Sequence, residues 1–141
     1  MVAQAAAKNL TPVTLELGGK SPAILDPSSE LATVAPRLAF GKLLNAGQTC
    51  IAPDYAFVPK DRIDAFVEAM QRAVAKMYPR LAANPDYSSI VNERHFSRLQ
   101  GLLEDARSKG ARMVTINPAG ESFDPAKRKQ PPVLVLGATP E

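Results

Sequence analysis

The feature that most constrains this fold is a change of period that recurs along the chain. Short β-rich runs alternate with longer stretches in which apolar residues return every three or four positions. Ile63, Phe66, Val67, Met70, Ala73, Val74 and Met77 share one helical face, opened by Asp61 and broken by Pro79. Phe96, Leu99, Leu102, Leu103 and Ala106 share another, in a helix predicted over 92–109 with Gly110 as its stop. A third helix starts at Ser28-Ser29-Glu30, where a serine caps free N–H groups and an early acid suits the helix dipole. Its apolar face carries Leu31, Val34, Ala35, Leu38, Ala39 and Leu43, with Lys42 on the same spacing, and it runs out by Asn45-Ala46-Gly47. Pro36 falls inside it, either in the first turns or at a kink. Strand-like runs occupy 13–17, 23–25, 55–58, 112–116 and 133–136, and the run at 55–58 has the character of a buried strand. Residues 2–9 resemble the last turns of a helix, closed by Pro12. This alternation predicts an α/β domain with a mainly parallel sheet and helices on both faces.

Composition limits the function classes. The 141 residues suffice for one domain with a real core, at 45% apolar and 22% charged content. Net charge is +3, and the longest basic cluster, Lys127-Arg128-Lys129, reads as a solvated loop rather than a nucleic-acid or membrane patch. No apolar run is long enough to span a membrane, and residues 1–10 lack the basic start of a signal peptide. A single cysteine forms no internal disulfide, which fits a reducing compartment such as the cytoplasm. One Cys and one His argue against a zinc site, so no metal is expected.

Cys50 is that single cysteine, within Asn45-Ala46-Gly47-Gln48-Thr49-Cys50-Ile51-Ala52-Pro53. A lone cysteine is commonly a small buried hydrophobe. Here Gly47, Gln48 and Pro53 place it on a loop just past a helix end, where catalytic groups tend to sit. A nucleophilic thiol must reach the thiolate form, so it needs N–H groups, a cation or a base nearby. Glu16 stands between Leu15 and Leu17 in the first strand-like run. It either faces solvent on an alternating strand or, if buried, gains the raised pKa of a general base. Gly18-Gly19 makes at least a turn, and glycines there let backbone approach a ligand closely. Lys20 reads as exposed, and His95, early in its helix between Arg94 and Phe96, is not assigned to catalysis.

These two stretches carry a resemblance to a known family. Leu15-Glu16-Leu17-Gly18-Gly19-Lys20-Ser21-Pro22 resembles the glutamate signature of the aldehyde dehydrogenase superfamily. Asn45-Ala46-Gly47-Gln48-Thr49-Cys50 resembles its cysteine signature, and the 34-residue interval from Glu16 to Cys50 agrees with the family's. The finer wording is similar to the branch of fatty, aromatic and coniferyl aldehyde dehydrogenases. The resemblance implies that Cys50 attacks an aldehyde to form a thiohemiacetal and, after hydride transfer to NAD or NADP, a thioester. It implies that Glu16 activates the hydrolytic water, and that Leu17 and Gly18 lie near the nicotinamide through their backbones. The backbone N–H of Cys50 would supply part of an oxyanion hole.

Members of this family are several times longer. The resemblance therefore implies that residues 1–10 are the tail of a cofactor-domain helix and that 11–141 are part of a catalytic domain. A cofactor domain, an oxyanion-hole asparagine, a Glu-Ile-Phe-Gly-Pro segment and oligomerisation strands belong to other parts of such a parent. That parent is expected to be a homo-oligomer, dimer or tetramer, and the segment alone is expected to be inactive. The alternative is a non-catalytic α/β interaction module derived from the same family.

Overall fold

The computed structural model describes residues 1–138. The fold is α/β, as the alternating periods predict. Helix α1 spans Val2–Ala7, β1 Ser21–Ile24, α2 Leu31–Leu43, β2 Pro53–Phe57, α3 Ile63–Met77, α4 Glu93–Ser108, β3 Arg112–Thr115 and β4 Val133–Leu136. Strands β1 and β2 pair in parallel, with α2 as the crossover, while β3 and β4 form an antiparallel pair.

The helices form where apolar spacing and stop signals coincide. Ala35, Ala39 and Leu43 of α2 are buried against Phe66, Met70, Ala73 and Val74 of α3, and Leu25 and Ile116 join the same core. Pro36 is accommodated within a continuous α2. Its N-cap is Glu30, with no side-chain capping bond, so the serine cap predicted at Ser28-Ser29 does not form. Asp26 takes that chemistry instead: its Oδ1 accepts from the backbone N–H of Ser28 at 2.8 Å and from the Ser28 hydroxyl at 2.5 Å, which closes a local turn. The Arg62 guanidinium then donates to the carbonyls of Pro27 and Ser29, tying the β1–α2 connection to the start of α3. Asn92 caps α4 by accepting from the backbone N–H of His95 at 2.9 Å.

Three further sequence expectations are corrected. Residues 13–17 form no strand; they run exposed with no ladder partner, because β propensity without a neighbouring strand cannot satisfy the backbone. The run at 55–58 is a strand as far as Phe57 but not a buried one: Tyr55 and Phe57 are 47% and 59% exposed, because the sheet face that carries their side chains is largely uncovered. The apolar face of α4 is only half covered, and Leu102 is 53% exposed.

Two core side chains come from a loop. Leu81 is fully buried and Tyr87 nearly so, although 79–88 is irregular. Glu121 holds this loop in place, its Oε2 accepting from the backbone N–H groups of Leu81 and Ala82 at 2.5 and 3.1 Å. The Tyr87 hydroxyl donates to the carbonyl of Gln130 at 2.7 Å, and burial pushes that phenol's pKa well up.

Candidate active site

Glu16 and Cys50 both lie just before strands that pair in parallel, Glu16 five residues ahead of β1 and Cys50 three ahead of β2. Parallel pairing therefore puts the two stretches at the same end of the β1–β2 pair.

Cys50 is exposed, on a loop whose shape is set by the end of α2. The chain leaves α2 through a short 3-10 turn, Leu44–Gly47, in which Asn45, Ala46 and Gly47 have φ of 52°, 55° and 74°. Left-handed backbone costs a non-glycine residue about 1–2 kcal/mol. Glycine is required at 47 for a second reason: a Cβ there would stand 3.0 Å from the carbonyl oxygen of Lys42. Gln48 holds the turn. Its Nε2 donates to the carbonyls of Asn45 at 3.0 Å and Ser89 at 3.1 Å, and its Oε1 accepts from the N–H of Val91 at 2.9 Å. Asn45 reciprocates by donating from Nδ2 to the carbonyl of Gln48 at 3.3 Å.

Glu16 is exposed, so of the two readings of this carboxylate the solvated one holds in this chain. Its Oε1 accepts from the N–H of Gly18 at 2.9 Å, and Gly18 turns the chain at φ 82°. The carboxylate thus bonds its own loop rather than Cys50. Leu17 is 87% exposed. A Cβ built on Gly18 or Gly19 would meet no protein atom within 4 Å beyond the neighbouring residues, so this backbone is open.

A polar link ties the two stretches together. At Pro22, which has no N–H for the ladder, the β1–β2 register shifts and leaves Asp54 without a partner in β1. Asp54 Oδ2 pairs with Lys20 Nζ at 2.7 Å, and its Oδ1 lies 3.7 Å from Lys42 Nζ. The hydrogen bond from Lys20 is the main reason the Asp54 carboxyl is held below the usual range, with the charges of both lysines adding to it. Gly41 lets α2 approach this strand, since a Cβ there would stand 3.3 Å from Pro53 Cδ.

Sequence reasoning missed these supporting roles. It read Gln48 as a loop marker and Lys20 as simply exposed, because partners 41 and 43 residues from Gln48, and Asp54 far along the chain from Lys20, leave no local signal. Among the described residues no cluster of His, Cys, Asp and Glu could hold a metal ion, and no helix is long and apolar enough to cross a membrane.

The family model described as the aldehyde dehydrogenase family matches residues 1–141. The chain belongs to the aldehyde dehydrogenase family. It is 52% identical, over 98% of its length, to a protein of Caulobacter vibrioides named "Probable coniferyl aldehyde dehydrogenase", of which it covers 29%. Its fold is similar to substrate-bound AldH of Staphylococcus aureus, with a TM-score of 0.84 and 39% identity over 98% of this chain and 29% of that one. It is also similar to a mutant of aldehyde dehydrogenase AldC from Pseudomonas syringae in complex with NAD+ and octanal, with a TM-score of 0.81 and 28% identity over the same shares. This aldehyde dehydrogenase chain thus spans less than a third of the length of the relatives it matches.

Proposed function

We propose that this chain is the nucleophile-bearing part of an NAD(P)-dependent aldehyde dehydrogenase that oxidises an aromatic aldehyde of the coniferyl type, or a fatty aldehyde, to its carboxylate. The observation that carries the reading is the placement of the Glu16 and Cys50 stretches at one end of the β1–β2 pair, joined through Lys20 and Asp54. The naming of the Caulobacter relative favours the coniferyl substrate.

In this reading Cys50 Sγ adds to the aldehyde carbon, and the backbone N–H of Cys50 donates to the oxygen that becomes negative. The nicotinamide of NAD or NADP supplies the hydride acceptor when bound, with the open backbone of Leu17 and Gly18 as its contact. Oxidation of the cysteine adduct leaves a thioester on Sγ. Glu16 takes a proton from the water that attacks this thioester, and the carboxylate product leaves as the thiol is restored. For that role the Glu16 side chain exchanges its bond to Gly18 for one to water.

The activity belongs to the longer protein, a cytoplasmic homo-oligomer in this reading, and these 141 residues alone turn over little or no aldehyde. The test is a rapid-mixing assay on the full-length protein. Glu16→Gln should still release one equivalent of reduced cofactor per site in a burst, then slow by about 10²–10⁴-fold in steady state. Cys50→Ala should show neither burst nor turnover. A Cys50→Ala enzyme with normal turnover sinks the assignment.

A further inference from the structure

We propose that Gln48 is the positioning residue for Cys50: its carboxamide locks the left-handed turn at 45–47 onto the 89–91 segment and so fixes where the thiol is presented. The inference rests on the reading of Cys50 as the nucleophile.

Two independent observations carry it. The first is backbone conformation. Asn45, Ala46 and Gly47 are all left-handed, and Asn45 and Ala46 hold that form against their own Cβ atoms. Such a run persists only where its surroundings over-determine it, and it leads directly into the cysteine loop. The second is the bonding of Gln48. All three of its side-chain bonds go to main-chain groups, and two of them cross to Ser89 and Val91, which are 41 and 43 residues away.

The anchor is itself fixed. Ile90 is buried, its N–H donates to the carbonyl of Arg128 at 2.9 Å, and its own carbonyl accepts from Arg128 Nε at 3.1 Å. Next along the chain, Asn92 caps α4. The cysteine loop is therefore referenced to α4 and to Arg128, and the reference passes through one side chain. Only a carboxamide of this length both donates to Ser89 and accepts from Val91. Glutamate keeps the acceptor and loses the donor, and methionine keeps the length alone.

The test uses the full-length protein with Gln48→Met, Gln48→Glu, Cys50→Ala and, as a stability control away from the site, Glu121→Gln. Turnover is measured beside the rate of Cys50 alkylation by iodoacetamide across pH. Gln48→Met should lower kcat by about 10²-fold, the loss that misplacement of a reacting group brings, with KM unchanged and a displaced alkylation profile. Gln48→Glu should recover part of that loss. Glu121→Gln should lower Tm and leave kcat and the alkylation profile alone. Wild-type turnover and alkylation in Gln48→Met overturn the proposal, as does an equal effect from Glu121→Gln. If Gln48→Met does not fold, an unaltered profile in Gln48→Glu overturns it as well. Undiminished turnover in Cys50→Ala would instead overturn the underlying reading of the nucleophile.

Discussion

At the scale of single residues, burial and backbone conformation separate the positions that matter from those that look as if they should. Leu81 has no exposed surface, though it lies in a loop rich in proline and asparagine. Leu81→Ala should destabilise the chain by about 3 kcal/mol in urea unfolding, within the range for a buried leucine. Ala46 presents the opposite case. Replacing it with glycine relieves a left-handed Cβ and gives back part of that gain as chain entropy, so Ala46→Gly should raise stability by about 0.5–1 kcal/mol in the same assay. Cys50 and Glu16 stand out in the sequence as candidates for chemistry because their neighbours form two motifs at a set interval. Gln48, Asp54 and Leu81 were not, because their roles depend on partners that only the fold brings near.

At the scale of elements, the three long helices were readable within about three residues at each end, since a 3.6-residue apolar period and a stop residue act locally. Strands were harder, because a strand exists only with a partner: 13–17 had the right residues and no neighbour. The loop 79–88 depends on Glu121, whose carboxyl is held below the usual range chiefly by the N–H of Leu81, with Ala82 and Arg80 adding to it. A depressed carboxylate stabilises the fold above the unfolded value, about 4.3, and that contribution is lost as pH falls through the lower folded value. Glu121→Gln should therefore lower Tm at neutral pH and flatten the fall of Tm with pH below about 4.3. Circular dichroism melts across pH check both; a variant with the wild-type acid slope would assign that slope to Asp26 or Asp54, which are also lowered.

At the scale of the whole molecule, much apolar surface is uncovered. Ile24, Ile51 and Phe57 are 78%, 77% and 59% exposed, and a cleft of about 610 Å³ opens beside Phe66, Met70, Leu103 and Leu134. Surface of this kind drives association. The 141-residue chain on its own, kept reduced, should sediment above its 15.1 kDa monomer mass as concentration rises. The double substitution Ile24→Ser and Phe57→Ser should bring it back toward monomer, and a wild-type chain that stays monomeric throughout would contradict this. The α/β class was legible because periodicity fixes element type; the division into one parallel and one antiparallel pair was not, since pairing is a long-range choice. The crossover helix also acts as a caliper. Thirteen residues of α2 carry the chain back along the sheet, so that β2 starts level with β1. Helical pitch makes that caliper intolerant of length: one inserted residue advances the chain by about 1.5 Å and turns everything after it by roughly 100°. The spacing between the two motifs is thus a mechanical dimension of the fold.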